Sequence, residues 1–197
     1  MDLILLQFGS AVFTKSDGKL AGISGASLID GEEGPNWNTY EDPSFDASKN
    51  IELVSINQGI QQQVTTDVSN SSRTSGRPII TDFTCVKYVD ITSPKMYDHC
   101  LRAKPIDIGM LEPTVIRVLR NSGDRLNEIM RFELRFAIIS EIQFQSHPND
   151  MSTEQFKLNF TEITWRHQVQ GASVINKGFS AAGWSIAKNR PIGSLSD

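Results

Sequence analysis

His99 and Cys100 are adjacent in the sequence, and a thiol beside an imidazole base is the arrangement of a catalytic cysteine. The segment that contains them, residues 93–102, is predicted to be helical. Neighbouring residues on an α-helix point about 100 degrees apart, so the imidazole would not reach the thiol proton. We therefore interpret Cys100 as a buried thiol and His99 as a residue at the boundary of the core.

Metal and phosphate sites also depend on spacing. His147 stands three residues before Asp150, and His167 follows later, but these spacings match neither a zinc site nor a two-histidine, one-carboxylate site. The glycine-rich segment 18–34 contains neither a GxGxxG sequence nor a P-loop. We interpret the three residues as turn and strand-surface positions and the segment as a loop. No metal and no cofactor are expected.

Three acidic residues, Asp90, Asp98 and Glu112, lie near the predicted helix, where two carboxylates could act as an acid and a base. They are scattered along the sequence, and Asp90 stands just ahead of Ser93, which is typical of a turn before a helix. The sequence therefore predicts no catalytic residue. We expect that the protein is not an enzyme.

Composition excludes two classes of partner. The 197 residues include 19 Lys and Arg against 23 Asp and Glu, and the formal net charge of −4 gives no field that attracts nucleic acid or anionic lipid. No apolar run approaches the roughly 20 residues of a membrane-spanning helix. Residues 1–8 lack the basic start of a signal peptide, so we expect folding in the cytosol and export only by another machine. Cys85 and Cys100 fit reduced, buried thiols.

Apolar residues recur at a period of two in segments rich in β-branched and aromatic side chains, which predicts an all-β protein. The length suits one domain, and we expect an antiparallel β-barrel, of one or two sheets, with one short α-helix and long loops. A phase shift between Phe160 and Ile163 indicates a bulge. Residues 171–197 form a tail, which we expect to complete one strand over 183–188. The expected strands are 3–14, 51–64, 79–89, 114–120, 127–144 and 154–168.

One segment, residues 93–102, departs from the period of two. Ser93 is a favourable N-cap and Pro94 suits the first helical position. Apolar residues recur behind them at helical spacing. We expect a short helix that covers one opening of the barrel. Its expected inward face consists of Met96, Tyr97, Cys100 and Leu101.

Two long segments, residues 15–50 and 65–78, are polar and rich in Gly, Ser, Asp and Asn. Loops longer than about 15 residues are uncommon and are usually functional or disordered, which favours a role as docking arms. The first segment carries Trp37, Tyr40 and Phe45. These aromatic residues would either anchor the segment on its own barrel or grip a neighbour.

Short motifs follow one another in an order that is typical of one family. The most specific is KYVDITSPKM at residues 87–96, which is similar to the pattern K-x-x-D-x-[AT]-S-P-K-[LM]. The segment IELVSINQG at 51–59 resembles a strand with the sequence WIEVLSFSWG. The segment FTEITW at 160–165 resembles a closing strand with the pattern Y-x-x-[IV]-x-[WF]. The hairpin at 114–124 and GWSIAKN at 183–189 fit the same order. The sequence thus resembles the Hcp tube proteins of the bacterial type VI secretion system. The motif positions are Lys87, Asp90, Ser93, Pro94, Trp165, Gly183 and Trp184.

The resemblance implies a subunit that forms homohexameric rings, stacked head to tail into a hollow tube. A contractile sheath would drive the tube, capped by a VgrG-like spike protein, into a target cell with secreted effectors in its lumen. The protein would thus assemble in the cytoplasm and then be secreted. Residues 15–50 are longer than the family's usual first loop. Residues 65–78 would make the contact between rings, with these candidates: Ser71, Ser72, Arg73, Thr74 and Arg77.

Two other classes of protein stay open. A phage-like contractile-tail tube protein would share the barrel and would also form rings. A monomeric β-barrel ligand-binding module would form no rings, and it would carry a pocket lined by aromatic residues.

Overall fold

Apolar and polar residues alternate along most of the chain, so that each segment can bury one face as a strand. The computed structural model describes residues 2–9, 50–66, 73–90, 92–122, 125–170 and 176–192. In these ranges one helix forms, α1, Ser93–Leu101. The strands are β1 Asp2–Gln7, β2 Asn50–Leu53, β3 Ser55–Asn57, β4 Ile60–Gln61, β5 Val64–Thr66, β6 Arg73–Ser75, β7 Ile79–Ile80, β8 Phe83–Tyr88, β9 Thr114–Ser122, β10 Arg125–Arg135, β11 Ile138–Gln145, β12 Thr153–Asn159, β13 Glu162–Gln170, β14 Asn176–Ser185 and β15 Arg190–Pro191.

Two antiparallel sheets hold the core. The seven-stranded sheet has the order β15-β14-β13-β10-β9-β1-β2, and the four-stranded sheet has the order β11-β12-β8-β3. Two further pairs, β4 with β7 and β5 with β6, form two-stranded ribbons. The prediction of an antiparallel all-β fold with one short helix is confirmed.

The expected barrel does not close among the described strands. The seven-stranded sheet ends at β15 and β2, and the four-stranded sheet ends at β11 and β3. The chain passes from one sheet to the other between β2 and β3, where the Val54 backbone N–H donates to the Val86 carbonyl at 2.7 Å. Strands that change sheet at such corners let the two sheets pack face to face, without a continuous ring of hydrogen bonds.

Four of the expected strands divide. Residues 51–64 form β2, β3, β4 and the start of β5, and residues 79–89 form β7 and β8. Residues 127–144 turn at Phe136, whose φ of 55° is rare outside glycine, so β10 stays in the seven-stranded sheet and β11 enters the four-stranded one. Residues 154–168 divide between Asn159 and Glu162, and β12 and β13 likewise belong to different sheets. The phase shift that predicted a bulge is therefore a change of sheet.

The core lies between the two sheets. Leu6, Ile116 and Leu134 fill it from the seven-stranded sheet, and Phe156 fills it from the four-stranded sheet. Phe83 packs edge to face against Phe132, with 5.0 Å between ring centroids.

Within the described ranges, no helix has the length and apolar character that membrane crossing requires.

Helix α1 differs from its prediction at both ends. Ser93 is its first residue rather than its N-cap, which is Thr92, and no side chain caps the helix there. The buried stripe runs through Ser93, Met96 and His99 at a spacing of three. Leu101 lies two residues beyond His99, about 200 degrees round the helix, and is 87% exposed. The expectation that Leu101 faces inward is wrong for this reason.

Candidate functional site

A buried cluster of charged groups fastens α1 to the four-stranded sheet. The ammonium Nζ of Lys87 lies 2.7 Å from Glu154 Oε1 and 2.9 Å from Asp90 Oδ1. It also donates to the Ser93 hydroxyl at 3.2 Å and to the Tyr88 carbonyl at 3.1 Å. The side chains of Lys87 and Glu154 are fully buried, so each charge depends on the other for compensation.

The helix supplies a hydroxyl group to each oxygen of Glu154. Ser93 Oγ donates to Oε1 at 2.7 Å, and Tyr97 Oη donates to Oε2 at 2.9 Å. Asp90 Oδ1 accepts the Thr92 backbone N–H at 2.7 Å, as expected of a turn residue before a helix. Three of the motif residues therefore have a structural task, which is to fix the start of α1. Pro94, the fourth, is exposed.

Sequence reasoning missed Glu154, although the sequence contains a signal for it. Glu154, Phe156 and Leu158 alternate on β12, and all three side chains are buried. An acid at an inward position of a strand requires a cation or hydrogen-bond donors. The alternation therefore indicated a buried partner, but it did not indicate that the partner is Lys87 on β8.

Tyr97 should ionise later than an ordinary tyrosine. Desolvation, and then its contact with Glu154, raise the pKa of Tyr97 to about 12. Since the folded-state pKa is raised, this group's contribution to stability is fully present below the usual pKa of about 10 and is lost as the pH rises through about 12. An ultraviolet titration of the protein and of Tyr97→Phe should differ by one phenol near pH 12. A difference near pH 10 would contradict the contact with Glu154.

A second buried carboxylate, Asp107, holds the corner between β10 and β11. Its Oδ1 accepts the backbone N–H groups of Gly109 and Phe136, both at 2.9 Å, and its Oδ2 accepts that of Ala137 at 2.7 Å. Desolvation raises the pKa of Asp107, although these hydrogen bonds act in the opposite direction. The bonds fix the backbone of Phe136 in its unusual conformation.

Residues 59–66 and 73–81, which we call the arm, form a two-stranded ribbon. β4 pairs with β7 nearest the body and β5 pairs with β6 beyond them, and between the two pairs the Gly76 N–H donates to the Gln63 carbonyl at 2.9 Å. At the base, the Thr81 N–H donates to the Gly59 carbonyl at 3.0 Å. Of the expected docking segment 65–78, residues 65–66 and 73–75 thus lie in paired strands, and residues 67–72 lie outside the described residues.

The candidate contact residues of the arm have different positions. Arg73 and Thr74 lie in β6, opposite Thr66 and Thr65. Arg77 lies closer to the body, and its guanidinium donates to the carbonyl of Ile186. Ser71 and Ser72 lie outside the described residues, as do Trp37, Tyr40 and Phe45 of the long first segment.

The motif residues of the last two long strands lie against the core. Trp165 on β13 and Trp184 on β14 both pack on the main hydrophobic cluster. A Cβ atom at Gly183 would lie 3.1 Å from Thr164 Cγ2 and 3.3 Å from Ile192 Cβ, so the close packing of this strand favours glycine. β14 begins at Asn176, which places the strand of the tail earlier than expected.

Cys85 is buried as expected, whereas Cys100 is only partly buried. Burial raises the pKa of the Cys85 thiol well above its usual range. His99 is 3% exposed, so it belongs to the core and not to its boundary, and desolvation lowers its pKa. Both thiols are free, and in the described part of the chain no three His, Cys, Asp or Glu residues are grouped so as to hold a metal ion.

A cleft of about 240 Å³ opens beside the base of the arm. Asp82, in its lining, accepts the Ser140 hydroxyl at 2.7 Å and the Asn159 amide at 2.8 Å. Phe160 is an aromatic residue of the lining, together with Ile80. Small-molecule sites usually enclose about 300–1,000 Å³ behind mostly apolar walls, so this cleft gives little support to a ligand-binding module.

These features define a class: an antiparallel two-sheet β scaffold, in which buried ionic groups fix a short helix and a two-stranded ribbon, the arm, lies outside both sheets. A family model described as "Type VI secretion system effector, Hcp" matches residues 40–167, more than half of the chain. The chain therefore belongs to the Hcp family, as the motifs indicated. The family consists of secreted structural proteins of the type VI secretion system rather than enzymes.

Solved structures agree in fold. "Structure of a type six secretion system protein" is 15% identical, covers 98% of this chain and 100% of its own, and has a TM-score of 0.69. Hcp1 from Salmonella typhimurium is 19% identical over 97% of this chain and 99% of its own, with a TM-score of 0.59. A type VI secretion system effector from Yersinia pestis is 16% identical over 92% and 98%, with a TM-score of 0.58. A comparison with curated proteins found no match.

Proposed function

We propose that this protein is the repeating subunit of a type VI secretion tube. Six copies form a ring, and rings stack head to tail into a hollow tube. The tube carries effectors in its lumen and a VgrG-like spike at its tip, and a contractile sheath expels it. The whole chain acts as one tube domain, in which 15–50 is an insertion and 171–197 is the tail. Membership of the Hcp family supports this proposal.

The observation that carries the stacking part is the arm. A two-stranded ribbon is at best marginally stable in water, because it lacks a second layer to cover its apolar side chains. The arm carries three such side chains, Ile60, Val64 and Ile79, each about half exposed. Contact with another copy would remove them from water and would order the ribbon. An arm that reaches along the tube axis would therefore link one ring to the next.

Native mass spectrometry and electron microscopy of the purified protein test the proposal. We expect a six-membered ring with a central hole, because a contact between two different surfaces of identical subunits closes into a ring or continues as a filament. A particle that stays monomeric at high concentration would overturn the proposal.

A shortened arm tests stacking separately. Val64 and Ser75 are paired, so residues 65–74 can be replaced by Asn-Gly, which favours a two-residue turn between paired strands. We expect single rings to form and stacked rings to disappear in electron micrographs. In the control, residues 67–70 become a Gly and Ser sequence of equal length, which keeps β5, β6 and all the candidate contact residues, and stacking should persist. If rings of the shortened protein still stack, the arm does not make the contact between rings.

A further inference from the structure

A group of large apolar side chains projects from the corner between the two sheets. Met110 is 71% exposed and Leu111 is 85% exposed, and Ile108 and Phe136 beside them are each about half exposed. We call these four residues the corner patch. Isolated apolar residues are normal on a protein surface, but four large ones together are typical of a contact surface.

The corner patch is built on a rigid turn. The Ile108 N–H donates to the Glu112 carbonyl at 3.2 Å, which closes the turn that carries Met110 and Leu111. Gly109 has a φ of 64°, and a Cβ atom there would lie 2.7 Å from a ring carbon of Phe136, so the ring lies directly on the turn. A preformed surface loses little conformational entropy when it binds, which favours tight contact.

The turn is also held from below. The Asp107 carboxylate binds the backbone on both sides of the corner, and the Ile106 N–H donates to the Ala137 carbonyl at 3.0 Å. Gly9, at the end of β1, lies so close that a Cβ atom there would be 1.9 Å from the Glu112 carbonyl oxygen. The patch is therefore presented by a fixed part of the body.

A second apolar group lies at the other end of β11. Phe144 is 60% exposed near the end of that strand, and Met151 is 53% exposed in the connection to β12. Val89, 39% exposed, belongs to the same end because its N–H donates to the Ser152 carbonyl at 3.0 Å. We call these three residues the distal patch. Phe136 and Phe144 are separated by β11, or roughly 25 Å at about 3.3 Å per residue.

We propose that the corner patch of one copy packs against the distal patch of the next copy within the ring. The proposal rests on the proposed function and names the two surfaces that meet. A second copy is the occupant that family membership supports, since Hcp proteins self-assemble in the secretion system, and a contact that closes a ring needs two different, complementary surfaces on each subunit. Both patches consist of uncharged side chains, and they lie at opposite ends of one strand. The arm remains available for the neighbouring ring.

The test uses the full-length protein and measures the concentration at which rings form, by native mass spectrometry and light scattering. Leu111→Glu places an unpaired carboxylate in the contact, and we expect at least a tenfold rise in that concentration. Leu101→Glu is the matched control, since Leu101 is also a leucine with 87% exposure and lies in neither patch. The control should form rings like the unmodified protein. Circular dichroism should show that all variants are folded, because the Leu111 side chain is mostly exposed and makes little contact with the core.

A compensating pair tests whether the two patches meet each other. Met151→Lys alone should also weaken ring formation, and a protein with both Leu111→Glu and Met151→Lys should recover most of the loss, because the new charges face each other. Unchanged rings with Leu111→Glu would overturn the inference and leave the proposed function intact. Rings that respond to Leu111→Glu but not to Met151→Lys would overturn the pairing. A monomeric unmodified protein would instead overturn the proposed function.

Discussion

Replacement of Glu154 by alanine is expected to lower the free energy of unfolding by about 3–5 kcal/mol. The change leaves the Lys87 ammonium buried with one carboxylate fewer, and Asp90 remains only as a partly exposed partner at 2.9 Å. The hydroxyl groups of Ser93 and Tyr97 lose their acceptor at the same time. Urea denaturation, followed by circular dichroism, measures the loss.

Two further variants distinguish the loss of charge compensation at Lys87 from a simple loss of side-chain volume at residue 154. A protein with both Lys87→Met and Glu154→Leu removes the two charges together, and it should regain at least half of the lost stability, since no buried charge then lacks a partner. Glu141→Ala breaks the ion pair of Glu141 with Lys157, which is 2.6 Å long but substantially exposed. That change should cost far less than Glu154→Ala, because water screens an exposed ion pair. A Glu154→Ala protein as stable as the Glu141→Ala control would contradict the buried network.

Asp107→Ala is expected to cost about 3 kcal/mol, because three backbone N–H groups lose their acceptor and at least that of Ala137 is buried. Asp107→Asn keeps one acceptor oxygen of similar shape and should cost about half as much. The loss should be visible in urea denaturation. It should also weaken ring formation, since the corner patch would no longer be fixed.

The control for the corner is Asp98→Ala. Asp98 pairs with Arg102 on the exposed side of α1, where both side chains are about half exposed, and this change should cost less than about 1 kcal/mol. Equal losses from Asp107→Ala and Asp98→Ala would show that the corner does not depend on the buried carboxylate. Hydrogen exchange at Phe136 and Ala137 provides a local measure, because only loss of the Asp107 contact should speed exchange there.

Local patterns in the sequence were sufficient for the all-β class and for the presence of the helix, but not for where the strands end. The period of two in β8 and β12 reports which side chains are buried, because successive side chains of a strand point to opposite faces. The hairpin between β9 and β10 follows from a turn sequence between two alternating segments. Short-range signals of this kind are reliable because the residues that decide them are neighbours in the chain.

The candidate site was only partly accessible in this way. The Hcp motif marked Lys87, Asp90 and Ser93, but it did not reveal that they act through Glu154, which lies 61 residues beyond Ser93. The sequence did not indicate that the corner patch is exposed, because apolar residues in a connection between a helix and a strand are equally compatible with burial. Exposure of Met110 and Leu111 depends on how the whole turn sits against Phe136 and Gly9.

The sequence by itself determined an antiparallel β fold, the single short helix and membership of a family, because each depends on residue types at fixed short spacings. Only the tertiary structure decided where strands change sheet. The break at Phe136 has no glycine or proline to announce it, and its positive φ is held by the hydrogen bond that its backbone N–H donates to a carboxylate 29 residues away. Such a conformation is unfavourable locally and persists because long-range contacts stabilise it, which is why period and propensity do not predict it.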